Sequence, residues 1–196
     1  SLAQLRRLDR AGALATLVGH RHKARWASLA IEPTDDASGG LLNDSCVREA
    51  QPLLRAPSEG DDLVADHATL GLSLGRHPLA LLRDILTRQR WFSATEVALS
   101  AHGQAMRAAG LVINRQRPST ASGVVFITLE DESGQINLVL WPSVTLRQRQ
   151  VALGSRLLAV EGHVERAGEV VHLVAKRLTD LSALLGRLQT RSRDFR

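Results

Sequence analysis

Apolar positions recur at three- and four-residue steps at the start of the chain, as Leu2, Leu5, Leu8, Ala11, Ala15 and Val18, with Arg6, Arg7 and Arg10 among the polar positions. This is a helical period and predicts helix from Ser1 to Val18. Gly19-His20-Arg21-His22 interrupts it, and a second short helix is predicted from about Lys23 to Ala30, limited by Pro33. A helix, a Gly-containing turn and another helix form a helix–hairpin–helix candidate over residues 1–31. There the unpaired N–H groups opening the second helix would face a phosphate, and Arg21, Lys23 and Arg25 would add charge. A plain helical hairpin with a solvated basic face has the same pattern, and the residues alone leave both readings open.

The period is then lost. Residues 32–66 contain Thr34-Asp35-Asp36-Ala37-Ser38-Gly39-Gly40 and then Pro52, Pro57 and Gly60, which predicts an acidic linker. Its acidity serves solubility or lets it lie against a basic surface. Gln51-Pro52-Leu53-Leu54 faintly matches a sliding-clamp peptide but has no terminal aromatic. Residues 67–104 read as a helical connector. Pro78 suits a first helical turn, and Leu79, Leu82, Ile85 and Leu86 make the apolar stripe of a helix running to about Gln89. His77 has no companion ligands at metal spacing and reads as a loop or capping residue. Ser93 to Gly103 is a short amphipathic segment leading into a strand-like region.

Over residues 105–181 the signal changes to β-branched runs. Leu111 to Ile113, Val124 to Leu129, and Ile136 to Leu140 are strand-like, as are Arg156 to Val164 and Val170 to Lys176. Glu130-Asp131-Glu132-Ser133-Gly134 and Ala167-Gly168 are turn chemistry. Ile136, Leu138 and Leu140 share one face, leaving Asn137, Val139 and Trp141 on the other. Ser143 to Leu153 is a helix-compatible connector. Three strands, a helix and a hairpin is the order of an OB-fold, a five-stranded barrel that takes oligonucleotides on strands two and three and in the loops after strands one and four. The fold expected is α+β: a helix–hairpin–helix module, acidic linker, helical connector, OB-fold barrel, and over residues 182–196 a C-terminal helix and tail.

Composition adds limits. The 196 residues are 44% apolar but only 3% aromatic, with no Tyr, so packing rests on Leu, Val and Ala. The single cysteine, Cys46, excludes an internal disulfide and fits a reducing cytoplasm. No apolar run approaches the roughly 20 residues that span a bilayer, so no membrane partner is expected. Ser1-Leu2 reads as a cut within a longer chain. The net charge of +5 is distributed as +5 over residues 1–31, −7 over 32–70, +2 over 71–104 and +5 over 105–196. Two basic modules flanking an acidic stretch suggest a polyanion partner. No Ser/His/Asp set, phosphate-binding Gly loop or Cys–His cluster supports an independent enzyme. His20, His22 and His102 are scattered.

Several motifs resemble one family: Gly71-Leu72-Ser73-Leu74 before His77-Pro78-Leu79; Ala109-Gly110-Leu111-Val112-Ile113; Arg115-Gln116-Arg117-Pro118; Thr120-Ala121; and Phe126-Ile127-Thr128-Leu129-Glu130-Asp131-Glu132. Together they look like the C-terminal portion of bacterial C-family DNA polymerases, relatives of the polymerase III alpha subunit. Val171-His172-Leu173 and Ser192-Arg193-Asp194-Phe195 narrow the resemblance to the error-prone branch used in damage-induced mutagenesis, although Arg196 stands where that branch commonly has His. The resemblance implies a helix–hairpin–helix region over Leu2 to Ala30 and an OB domain from Met106 to about Leu181. It implies that the catalytic carboxylates and their two magnesium ions belong to a preceding palm domain, with no cofactor here. The Glu130–Glu132 trio is then a turn, not a metal site.

The chain supports two functional readings. In the first, it is a non-catalytic DNA-binding part of an error-prone polymerase in translesion synthesis. Arg115 and Arg117 after the first strand, Arg166 near Gly168, and Lys176 and Arg177 closing the fifth strand would line one groove for single-stranded template. The hairpin would hold duplex phosphates. Trp141, and as a second candidate Phe126, would stack on bases or pack in the core; of the two, Phe126 is expected mostly in the core. In the second reading the chain docks accessory mutagenesis proteins, including an inactive Y-family-like homologue that brings in the sliding clamp indirectly. Leu184, Leu185, Leu188 and Phe195 are the contact candidates.

Overall fold

The structure is a computed structural model that describes residues 2–31, 52–120, 122–188, 190 and 192–194. Phe195 and the linker stretch 32–51 lie outside the described residues. The chain divides into two compact units, Ser1–Leu72 and Ser73–Arg196.

In the first unit, α1 (Leu2–Arg10), α2 (Ala15–Val18) and α3 (Arg21–Leu29) pack together. The long helix read from the period is broken in two because Gly12 takes φ +76°, a left-handed conformation that ends a helix without Cβ strain. Gly19 at φ +103° makes the second turn, and the His20 ring caps α3 by accepting from the Lys23 N–H. The acidic stretch is not linker throughout. Glu59–Leu70 forms α4, started by a Ser58/Asp61 capping box and stopped by left-handed Gly71. Asp62 and Asp66, one turn apart on α4, both face Arg21. The negative run thus supplies internal counter-charge to the basic hairpin.

The second unit opens with α5 (Pro78–Arg88), with Pro78 in its first turn and His77 accepting from the Leu79 N–H as its cap. A second capping box, Ser93/Glu96, starts α6 (Ala94–Leu99). The strands are β1 (Ala105–Gln116), β2 (Val125–Asp131), β3 (Gly134–Leu140), β4 (Leu157–Ala167) and β5 (Val170–Asp180). Between β3 and β4 lie α7 (Pro142–Arg147) and α8 (Arg149–Gly154). The pairing order β1-β2-β3-β5-β4 returns to β1, with β3 and β5 parallel and the rest antiparallel. This is a closed five-stranded OB-fold barrel. Its interior holds Ile127, Leu129, Leu138, Leu140, Val160 and Leu173 among others, all essentially inaccessible.

β1 begins at Ala105, ahead of the first apolar run. Its opening half, Ala-Met-Arg-Ala-Ala-Gly, pairs with β4, and β2 crosses close to its last residue. A Cβ on Gly110 would stand 2.7 Å from the Leu129 Cβ. Small size, not hydrophobicity, marks this half, so a hydropathy period passes over it.

The leucine-rich stretch after the barrel is not a long helix. Leu178 to Asp180 complete β5, and Ser182–Leu185 make one 3-10 turn packed on β4. Leu185 and Leu188 are buried (7% and 4% exposed), and Leu184 is half-buried. The Leu188 carbonyl accepts from Arg156, and Ser182 Oγ accepts from the Arg156 N–H at 2.8 Å. Residues expected to contact a partner instead close the barrel's flank. Beyond them β6 (Arg193–Asp194) lies parallel to β1 at Asn114 and Arg115.

Candidate nucleic-acid interface

Strand alternation sorts the barrel into an inner apolar face and an outer face. On the outer side one row runs Gln116, Phe126, Val139, Val174 across four strands, and the next runs Asn114, Thr128, Asn137, His172. Phe126 is half-buried on this outer face, between the inward Val125 and Ile127, and is not the interior residue expected. Trp141 follows β3 with the outward parity and is 53% exposed, because Pro142 turns the chain into α7 before the ring can be covered. Of its two sequence readings, core and stacking, the exposed ring fits the second.

β5 carries the basic end of this face through a register fault. Gly162 pairs with Ala175, whereas Glu161 pairs with Arg177, so β5 takes two residues against one on β4 and Lys176 is the extra residue. Ala175 and Leu178 both point inward, and the bulge sends the two consecutive basic residues Lys176 and Arg177 out to solvent. The bulge depends on glycine: a Cβ at Gly162 would lie 2.1 Å from the Val174 carbonyl oxygen. Beside Arg177, Glu161 pairs with Arg107 at 3.4 Å, and Arg107 lies 4.1 Å over the Trp91 ring.

At the end of the barrel where β1 finishes, a groove of about 350 Å³ runs between the β1–β2 loop and α7–α8. Arg115, Arg117 and Arg149 line it, with Val125, Pro142, Leu146 and Leu153. Arg117 and Arg149 are exposed.

The sequence reading turns Arg115 toward the template, but the residue is only 7% exposed. It donates to the Ala152 carbonyl at 2.8 Å, to the Ser155 carbonyl and to Ser192 Oγ at 2.8 Å. It closes the open carbonyl end of α8, a need that every helix terminus has. Arg166 is likewise occupied, donating to the Ser100 carbonyl at 3.0 Å and to the Ala98 carbonyl at the end of α6. It sits at the far end of β4 from the groove. The five barrel cations therefore do not line one groove: Arg117 faces it, Lys176 and Arg177 occupy the outer strand face, and Arg115 and Arg166 act as braces.

In the first unit Arg21 is also a brace, paired with Asp62 at 3.1 Å and with Asp66, and donating to the Arg10 carbonyl at 3.1 Å. Arg25 is exposed and Lys23 half-buried. The Glu130–Glu132 turn has a bracing role too. Asp131, with a fully buried side chain, accepts from Arg83 (3.0 Å), the Ala94 N–H (2.8 Å), both Ser133 donors (2.7 Å) and the Gly134 N–H (3.0 Å). The Glu132 hydrogen bond, with both neighbouring carboxylates, holds the Arg83 guanidinium above its ordinary pKa. The Ser93 backbone N–H and hydroxyl hold the Glu96 carboxyl below the usual carboxylate range. Among the described residues no group of three His, Cys, Asp or Glu is placed to hold a metal ion, and no helix is long and apolar enough to cross a membrane.

Comparison with known proteins agrees with the barrel's class first. Residues 107–181 match the family described as OB-fold nucleic acid binding domain. The chain as a whole is 54% identical, over 97% of its length, to the error-prone DNA polymerase of Alkalilimnicola ehrlichii. It is 51% identical, over 94% of its length, to that of Pseudomonas aeruginosa. In each case it spans 18% of the relative's length. Among solved structures, asparaginyl-tRNA synthetase from Pyrococcus horikoshii aligns with 52% of this chain and 24% of its own, at 22% identity and a TM-score of 0.39.

Proposed function

We propose that the chain is the non-catalytic, C-terminal nucleic-acid-binding part of an error-prone DNA polymerase. In this reading single-stranded template crosses the outer face of β2 and β3. Lys176 and Arg177 neutralise its phosphates, Trp141 stacks on a base, and Thr128 and Asn137 offer sequence-tolerant hydrogen bonds. Arg25 and Lys23 of the N-terminal hairpin hold duplex phosphates. Nucleotide addition, with its two magnesium ions, belongs to another part of the longer polymerase, acting in the cytoplasm in translesion synthesis and damage-induced mutagenesis.

The observation that carries the reading is the β5 bulge, which turns two consecutive cations outward on a barrel whose neighbouring strand β3 is followed by an exposed tryptophan. An ordinary strand alternates and would bury one of them. Docking of accessory mutagenesis proteins through Leu185 and Leu188 is not retained, because both are covered. The test is a titration of labelled oligo-dT with wild type, Trp141→Ala and Lys176→Ala/Arg177→Ala. Loss of one stack weakens binding by about tenfold, from roughly 1–3 kcal/mol per base. Equal affinity in all three proteins would defeat the reading.

A further inference from the structure

The groove between the β1–β2 loop and α7–α8 differs in kind from the outer strand face. Among the described residues, three arginines line it, Arg115, Arg117 and Arg149, and no carboxylate does. The apolar residues described there are all aliphatic, Val125, Pro142, Leu146 and Leu153. Leu146 and Leu153 are 76% and 49% exposed, an unusual cost for two leucines on short helices. A base needs a flat π-surface to stack on, whereas aliphatic walls beneath cations suit an apolar side chain flanked by carboxylates. β1 is already paired on both sides at Asn114 and Arg115, by β2 and β6, so the groove is open only beyond them, from the lining residue Gln116 onward.

We infer that this groove is a docking site for an acidic, extended peptide segment of a partner protein, with one bulky apolar anchor residue seated between Leu146, Leu153 and Pro142. Arg117 and Arg149 pair with the carboxylates on either side of the anchor. Arg115, held by the α8 carbonyls, fixes the groove's wall. The site is separate from Lys176, Arg177 and Trp141, and the inference does not depend on the nucleic-acid reading.

The experiment uses the 196-residue chain and a fluorescein-labelled synthetic peptide with one central leucine flanked on both sides by aspartates, followed by anisotropy. Arg117→Glu/Arg149→Glu and Leu146→Ser/Leu153→Ser change only exposed positions, and circular dichroism checks their fold. Binding that weakens by about tenfold or more in each double variant is expected, since both the charge and the apolar contact contribute. Unlabelled oligo-dT should not displace the peptide, and its own affinity should be unchanged by Leu146→Ser/Leu153→Ser. Four results would overturn the inference. They are no peptide binding, peptide binding indifferent to the leucine variants, oligo-dT affinity that falls with them, and self-association in sedimentation that they abolish.

Discussion

Gly162→Ala is the substitution for which the structure makes its sharpest demand. The added Cβ would sit 2.1 Å from the Val174 carbonyl oxygen and 2.9 Å from its carbon. Both are backbone atoms in the β4–β5 ladder, so no rotamer change relieves the clash and the strands must separate at the bulge. Ordinary overpacking in a core costs about 1–3 kcal/mol, and a rigid backbone clash falls at or above that upper end, about 3 kcal/mol or more. Against a total stability of roughly 5–15 kcal/mol, this is a large fraction. Gly168→Ala, in the β4–β5 turn, is the matched control. It has φ +64° but nothing within 4 Å, so it carries only conformational strain of about 1 kcal/mol. Urea unfolding followed by circular dichroism and tryptophan fluorescence measures both. A difference of about 2 kcal/mol between the two alanine variants is expected. Equal costs would refute the bulge geometry and with it the outward placement of Lys176 and Arg177.

Other substitutions test the braces. Arg115→Ala leaves the Ala152 and Ser155 carbonyls without their donor, so urea unfolding should report a loss of about 2–4 kcal/mol; a neutral result would return Arg115 to the solvent-facing role. Asp131→Ala removes one of Arg83's two carboxylate partners and leaves the Ala94 and Gly134 N–H groups without their acceptor, and should cost about 2–4 kcal/mol, again read by urea unfolding. The Glu96 carboxyl is depressed in the fold, so its contribution is present above the ordinary value of 4.5 and is lost as pH falls below it. Acid unfolding of Glu96→Gln should therefore show a smaller decline through that window than wild type, and superimposable profiles would contradict the Ser93 cap. Arg21→Ala should destabilise the first unit while leaving oligo-dT affinity unchanged, since its guanidinium is engaged by Asp62 and Asp66; a loss of affinity would restore it as a phosphate contact.

The sequence shows the barrel well where burial alternates, and poorly where small size or charge decides. Ile136, Leu138 and Leu140 read as one inward face and are that face, and His77 reads as a cap and is one. Ala105 to Gly110 carry little hydrophobic signal, yet form half of β1. The site is less legible. Arg115 and Arg117 look alike in one dimension, but β1's last inward turn sends one to the α8 carbonyls and leaves the other in solvent. Asp62 and Asp66 read as linker charge because their partner, Arg21, is some forty residues away. Leu185 and Leu188 read as a free apolar stripe because nothing local says that β4's outer flank needs a cover. Arg149 carries no signal of its own, since a period finds a helix but not the loop that faces it. Lys176 and Arg177 are visible as a basic pair, although only the register fault explains why both face outward.

The central claim is that the outer strand face grips a nucleic-acid backbone through Lys176 and Arg177. The salt dependence of oligo-dT affinity tests it most directly, because each neutralised phosphate contributes a slope of about −0.7 in a plot of log K against log salt. Lys176→Ala/Arg177→Ala should flatten that slope by about 1.4 relative to wild type. An unchanged slope, or a wild-type chain with no salt-dependent binding, would contradict the account.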